Sequence, residues 1–470
     1  MIDVRSWIFF GLLLILPGCS LDFPAAIDGG CMNCDADSSD AEPHDASTDA
    51  DGGSAVCGNG ILESGEACDT NTSCGDLGLS GDALVDCFDD CMTVDTSTCW
   101  HCGDGVCSAA AGETPAACPV DCRPLSVGWN HSCRLDSTEV WCWGLNTLGA
   151  LGNGGSTNSN VPVHVVELDN VVQVSAGTRH SCAVDDSGSV WCWGSNSNGQ
   201  LGDDTTTNSP IPVAVQGIGD IIQVAAGRYH TCAVDNHGQV WCWGGNINGQ
   251  LGNASNVDEH TPVEILEIEG VVHISVGHNH SCGIDDQGRL WCWGYNEYGQ
   301  LGLGNTSDRF VPFVVTSLSG VVQVDESYSH TCAVTDQHQV WCWGRSSSGQ
   351  LGQETTETYI DEPLLVPDLA DIVQVSVGAY TTCALDDQGQ VWCWGGNSHG
   401  QLGDGTLTSR WHPGVVLNLQ AAVAVEVGDE TACAEVFNGS VWCWGRNENG
   451  ELGAGLTIDH SSDPVQVERW

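Results

Sequence analysis

Seven copies of one unit of about fifty residues fill the chain from residue 125 onward, and this repetition constrains the fold more than any other feature. The unit reads H-S-C-A-V-D-D-S-G-S-V-W-C-W-G at residues 180–194, and its second Cys recurs at 142, 192, 242, 292, 342, 393 and 443. Each W-C-W-G runs into a variant of N-x-x-G-Q-L-G, as at residues 196–202, and then into about ten variable residues. A P-V-x-V segment follows, as at Pro262–Ile265, and then V-V-Q-V-S-A-G, as at Val171–Gly177. Four short apolar segments per repeat, punctuated by Gly and Asp turns, read as four strands. No single unit can bury its own faces, and equivalent units stacked around an axis bury them against one another. The expected fold is all-β: a seven-bladed β-propeller over residues 124–470, preceded by a small disulfide-rich region. No P-V-x-V segment lies at residues 100–124, whereas Pro464-Val465-Gln466-Val467 stands near residue 470. That last strand is expected to close the ring against the first blade.

The cysteines set the pairing within a blade. Cys182 and Cys192 lie symmetrically about Ser187. A hairpin with the loop Asp186-Ser187-Gly188 places them directly opposite each other, with Gly188 free to take a positive φ. Opposed Cα atoms in such a ladder lie about 4.5–5.5 Å apart, within disulfide reach. The expected bridges are Cys133–Cys142, Cys182–Cys192, Cys232–Cys242, Cys282–Cys292, Cys332–Cys342, Cys383–Cys393 and Cys433–Cys443. The same register sets His180 opposite Gly194. His131, His180, His230, His280 and His330 share that position, and Thr381 and Thr431 replace it in the last two repeats. These rings are expected to pack over the glycine rather than to bind metal. Trp191 and Trp193 point away from the face of Cys192 and are expected to fill the space between blades. No nucleophile–base constellation stands apart from the repeat, so no catalytic residue is assigned.

Residues 1–18 place Arg5 before the apolar run W-I-F-F-G-L-L-L-I-L, a pattern for export and too short to read first as a spanning helix. Leu16-Pro17-Gly18-Cys19 resembles a bacterial lipobox, which implies lipidation of Cys19; the alternative is an ordinary signal peptide. Ser20 after it favours the outer membrane by the sorting rule of such lipoproteins. Residues 19–55 hold nine acids and no Lys or Arg, and read as an extended acidic linker. Cys31 and Cys34 within it read as a small structural or intermolecular disulfide. Residues 56–99 and 100–123 carry six and four Cys, even numbers that suit disulfides. The segment C-G-N-G-I-L-E-S-G-E-A-C-D at 57–69 resembles a cysteine-rich repeat of bacterial surface proteins. In the second, shorter module Asp104, Glu113 and Asp121 are candidate calcium ligands. No other cofactor is expected, with calcium on the acidic lower turns of the propeller as a minor alternative.

The pattern H-[ST]-C-A…G-x-V-W-C-W-G-x-N-x-x-G-Q-L-G resembles the regulator of chromosome condensation family, whose members are seven-bladed β-propellers. The Cys-bearing form resembles an exported bacterial branch. Nuclear members exchange guanine nucleotide on a small GTPase and contact chromatin, so the resemblance implies an exchange-factor alternative. Composition argues against it. The net charge is −51, and all eleven basic residues are Arg. Such a surface repels phosphate, and without Lys there is neither a P-loop lysine nor Schiff-base chemistry. Exported relatives act as protein binders, including inhibitors of secreted enzymes. The expected function is therefore that of a non-enzymatic envelope lipoprotein whose propeller binds a protein partner. The membrane is met through the N-terminal lipid alone, and no nucleic acid is bound. A glycan-active lyase or hydrolase with a site in the channel is a further alternative.

The repeat also orients the two faces. V-V-Q-V ends at the G-x-x-H turn, here called the upper face, and H-S-C-A returns to the D-D-x-G turn on the lower face. W-C-W-G climbs back, so W-G-x-N and the variable loop also lie above. All six Tyr fall in upper segments. The expected partner-binding surface comprises Trp129, Arg179, Arg228, Tyr229, Tyr295, Tyr298, Arg309, Phe310, Tyr328, Arg345, Tyr359, Tyr380, Arg410, Trp411 and Arg446. Arg, Tyr and Trp dominate binding hot spots. The lower turns carry Asp136, Asp185, Asp186, Asp235, Asp285, Asp286, Asp336, Asp386 and Asp387, read as a solvated face of turn-forming residues.

Overall fold

The structure, a computed structural model, describes residues 125–419 and 421–469, and the backbone of an antiparallel pair, Asp86–Cys87 with Val94–Asp95, that belongs to a separate unit. The export segment, Cys19, the acidic linker, the side chains of the cysteine-rich modules and the candidate calcium ligands Asp104, Glu113 and Asp121 lie outside the described residues.

From Leu125 onward the chain forms seven four-stranded antiparallel sheets, each built from four consecutive strands. In the second blade these are Val171–Ala176, His180–Asp185, Val190–Gly194 and Ser209–Ala214. The first strand of every blade touches its counterparts in the neighbouring blades and lines a central channel, so the order runs from the axis outward. Val and Ile dominate these inner strands, as a pleated surface buried on both faces favours. Within the central hairpin His180 opposes Gly194, Cys182 opposes Cys192 and Val184 opposes Val190. Gly188 closes the loop at φ 73°. The first blade differs: Asp136 pairs with Glu139, and Ser137 takes the positive φ in a two-residue turn. All seven disulfides are present, with Cα atoms 4.0–4.2 Å apart, somewhat closer than a generic opposed pair.

The two tryptophans of each W-C-W-G both pack between blades, as expected, but to different depths. Trp193 is fully buried against Cys133, Leu151 and Val165 of the preceding blade and donates its indole N–H to the Ala150 carbonyl at 2.8 Å. Trp191 is half-buried and donates to the Asp185 carboxylate of its own blade at 2.9 Å. Two residues earlier in the strand, its indole N–H comes within reach of the lower turn.

The last strand does close the ring against the first blade, by packing rather than by pairing. His460–Gln466 pairs with Val441–Arg446, with Val465 opposite Cys443, and so completes the seventh blade. No strand is lent to the first blade, whose inner edge is Leu125–Val127. The ring closes by packing: Leu125, Val127 and Trp143 meet Cys433, Leu452 and Val467. A buried ion pair, Arg134 to Glu435 at 2.8 Å, spans the same seam. The second blade holds Ala183 and Val184 at those two repeat positions.

Candidate functional site

Six of the seven inner strands end at a glycine, and the fifth at Ser327, small residues that let the strand ends converge. A Cβ on Gly177 would sit 2.3 Å from the Gly227 carbonyl oxygen, and one on Gly428 would sit 2.0 Å from that of Gly128. The amide of Thr178 instead donates to Gly227 at 3.0 Å, and that of His278 to Ser327 at 2.9 Å. The next residue of every blade borders the channel mouth: Trp129, Thr178, Arg228, His278, Tyr328, Ala379 and Asp429. Seven blades supply seven different side chains at one position of an otherwise repetitive frame.

These residues and their neighbours form a connected aromatic and guanidinium network. Trp129 reaches across the mouth to His278, with ring centroids 4.4 Å apart, although they belong to the first and fourth blades. His278 meets the edge of Tyr328 at 4.9 Å, and Tyr328 lies 6.5 Å from Tyr380. The Arg228 guanidinium stands 5.0 Å over Trp129 and 4.7 Å over Tyr229. That of Arg345 stands 5.3 Å over Tyr298 and 5.9 Å over Tyr380, and Tyr295 lies 6.5 Å from Tyr298. Burial, with Arg228 adding to it, holds His278 well below the usual imidazole range. Burial and the neighbouring Glu430 push Asp429 up to about 7, against the opposing pull of Arg446 and Arg228. Trp129, Arg179, Arg228, Tyr229, Asp429 and Arg446 line a depression of 460 Å³ beside the mouth.

Ten of the fifteen expected surface residues thus sit at or around the mouth. The other five stand at the rim, where the outermost strands Arg309–Val314, Tyr359–Leu365 and Arg410–Val415 begin. Phe310 lies against Gly249 of the preceding blade and Trp411 against Gly349, as Pro210 lies on Gly149 and His260 on Gly199. That position stacks one blade on the next. Arg410 pairs with Asp404, Arg309 covers Phe313 at 4.7 Å, and Tyr359 opposes Arg345 in the ladder. Sorting by residue type overlooked Thr178, His278 and Asp429. Their signal was the column after the inner-strand glycine, which changes in every blade while its flanks repeat.

The repeated histidines are structural. His180 Nε2 lies 3.0 Å from Thr231 Oγ1 of the next blade, whose hydroxyl donates to the Gln200 carbonyl at 2.9 Å. The hydroxyl proton is committed there, so the imidazole donates from Nε2, and burial pushes the ring down to about 3, which keeps it neutral near pH 7. His131, His230, His280 and His330 repeat this contact onto Ser181, Ser281, Thr331 and Thr382. In the channel, Gln173 bonds both backbone groups of Val224, and Ser175 accepts from the Ala226 amide at 3.0 Å, stapling blade to blade.

The lower turns are less simply solvated than expected. The Asp185 carboxylate accepts the amides of Ser187 and Ser189 and the indole of Trp191. Burial raises Asp185 and Asp285, and hydrogen bonds more than offset this, leaving both below the usual carboxylate range. The exposed acidity of that face comes from Asp136, Asp186, Asp286, Asp336 and Asp387.

A profile of the RCC1-like domain matches residues 68–434, most of the chain. The chain belongs to the RCC1-like domain family. Profiles of the single regulator of chromosome condensation (RCC1) repeat match residues 422–451 and 438–469 of this RCC1-like protein. It is 40% identical over 67 residues to the E3 ubiquitin-protein ligase HERC2 of human and of mouse, a stretch covering 14% of this chain and 1% of those proteins. Its fold resembles that of yeast RCC1 (Prp20) in a complex with Kap60, with a TM-score of 0.64 and 21% identity over 71% of this chain and 84% of that one. It likewise resembles human WBSCR16, with a TM-score of 0.64 and 24% identity over 71% of this chain and 94% of that one. A second structure of Prp20p from Saccharomyces cerevisiae, described with its binding to Gsp1p and histones, has a TM-score of 0.63 at 21% identity, covering 72% and 87%.

Proposed function

We propose that this RCC1-like propeller is an exported, lipid-anchored, non-enzymatic binding module whose upper face takes a protein partner. The observation that carries the proposal is the mouth ring, with seven different side chains at one position of seven blades. Variation on a rigid, repetitive frame is what a selective surface requires. The residues gathered there, Trp129, Arg228, Tyr328 and Tyr380 among them, are of the types that anchor interfaces. Yeast Prp20, of the same fold, is described as binding proteins, namely Kap60, Gsp1p and histones. The partner of this chain is a different question, to be answered by capture from envelope extracts with the soluble propeller.

Arg345→Ala, Tyr298→Ala and Tyr229→Ala test the face. At least one is expected to weaken binding of the captured partner by about 2 kcal/mol. Stability should move by about 0.5 kcal/mol or less where the side chain is exposed. Asp186→Asn, Asp286→Asn and Asp387→Asn on the lower turns are the controls. They should leave affinity nearly intact at physiological salt, where distant surface charges are screened. Affinity lost through the Asp set and kept through the Arg and Tyr set would reverse the assignment.

The anchor is tested separately. Cys19→Ala is expected to move the protein from the membrane fraction to the soluble fraction, because acyl chains are the proposed attachment. A variant that still partitions into detergent would refute lipidation at Cys19.

A further inference from the structure

We propose that the depression beside the channel mouth is a carboxylate pocket, which takes one Asp or Glu side chain presented by a partner polypeptide whose own surface is net basic. The proposal rests on the reading of the upper face as protein-binding and names what that face selects.

The argument begins with charge. The chain has 62 acids and 11 basic residues, so any arginine has carboxylates in excess around it. Arg134, Arg289, Arg410 and Arg446 are each ion-paired. Among the described residues Arg179, Arg228, Arg309, Arg345 and Arg469 form no ion pair, and of these Arg179 and Arg228 line the same 460 Å³ depression. That volume suits a side chain or a small group rather than a flat contact. Arg228 is also held in place. Its guanidinium lies over Trp129 at 5.0 Å and over Tyr229 at 4.7 Å. Stacking engages the plane of a guanidinium and leaves its in-plane N–H fork free, the arrangement that binds a carboxylate in bidentate fashion. Thr178, Asn130 and Ser197 on the same lining can add donors. Asp429 is the one acid among the lining residues, and its environment pushes it up to about 7, so near neutral pH it holds less than a full charge against an incoming anion.

The rest of the molecule narrows the ligand. A body of net charge −51 draws in cationic partners and repels polyanions. A local demand for an anion within that field is met by a basic partner carrying one acidic anchor. Saccharides need a free aromatic face to stack on. Here Arg228 covers Trp129 and Tyr229, His278 tilts against Trp129, and Arg345 covers Tyr298 and Tyr380.

The test is selection of a random dodecapeptide display library on the full-length protein. The selected peptides are expected to be net positive with Asp or Glu at one fixed position. Replacing that acid by its amide should cost at least tenfold in affinity. Arg179→Ala and Arg228→Lys should each cost at least tenfold as well, the second because it keeps charge but loses the stacked fork. Unchanged near-ultraviolet circular dichroism of the tryptophans will show that both variants are folded. Peptides without a fixed acid, or peptides that bind both variants as tightly as the parent, overturn the pocket. If such peptides still need Arg345 and Tyr380, the upper-face reading stands without the carboxylate anchor. If they need neither set, or if no peptide is selected, both fail. Competition by inorganic phosphate at constant ionic strength, with none by N-acetylglutamate, would also overturn the assignment to a carboxylate.

Discussion

Unfolded and reduced, the chain is expected not to regain its native structure until its disulfides re-form, whereas reductant alone should leave the folded propeller intact. Each bridge closes a hairpin over a separation of 9 or 10 residues. Loop entropy for that size is worth at most about 2.7 kcal/mol per bridge. Seven of them approach about 19 kcal/mol, above the roughly 5–15 kcal/mol net stability of ordinary domains. The bridges therefore stand between a folded and an unfolded chain at equilibrium. They are also shielded, since all fourteen blade cysteines are fully buried, and a thiolate reaches them only after a blade opens. Tryptophan near-ultraviolet dichroism, followed with and without reductant and with and without denaturant, reads both halves of the expectation. A reduced, thiol-blocked chain that recovers the native signal would show that core packing alone carries the fold.

Much of this architecture was legible because it is local or repeated. Symmetry of Cys182 and Cys192 about Ser187 yields the hairpin register, and seven repetitions turn one register into a ring. What escaped reading depends on contacts between distant repeats. The ring-closing seam joins residues 301 apart in sequence, Arg134 and Glu435, and neither looks unusual in its own segment. Only against the other blades, with Ala183 and Val184 at those positions, do they stand out. The site was half legible. Arg and Tyr counted by type pointed to the upper face, yet Phe310 and Trp411 proved to be rim packing onto the preceding blade. His278 and Asp429 were missed because their importance lies in position, at the first residue past the glycine collar. Which tryptophan of W-C-W-G is fully buried was also hidden, since both share one strand face. Depth along the strand separates Trp193 from Trp191.

The histidine ladder leads to the second large effect, a loss of stability in mild acid. His131 is pushed down to about 4, and His180, His230, His280 and His330 to about 3, in each case first by burial. Each imidazole donates from Nε2 to a hydroxyl whose own proton is committed to a carbonyl, so a second proton finds no acceptor. In the unfolded chain these groups titrate near 6.5. The sign follows: below about pH 6.5 the unfolded state binds more protons, and stability falls until the folded values of about 3–4 are reached. Each histidine contributes a slope of about 1.4 kcal/mol per pH unit in that window, and five contribute about 7. Asp429, Glu326 and Asp308 oppose this, because burial raises all three in the folded state and their protonation favours it as pH falls. Relief of repulsion within a body of charge −51 opposes it too. His278, also held down by burial, joins the five, and six imidazoles against three carboxyls set the net direction, so urea midpoints between pH 7 and pH 4.5 with disulfides intact should fall. The repeat itself supplies the control. Where Thr381 replaces the histidine, the next blade holds Ala432 in place of the receiving hydroxyl. His330→Thr combined with Thr382→Ala copies that pair into the preceding seam. The variant should take up about one proton fewer on unfolding near pH 5 and lose about 1.4 kcal/mol per pH unit of slope. An unchanged slope would mean that His330 is not held neutral between the blades.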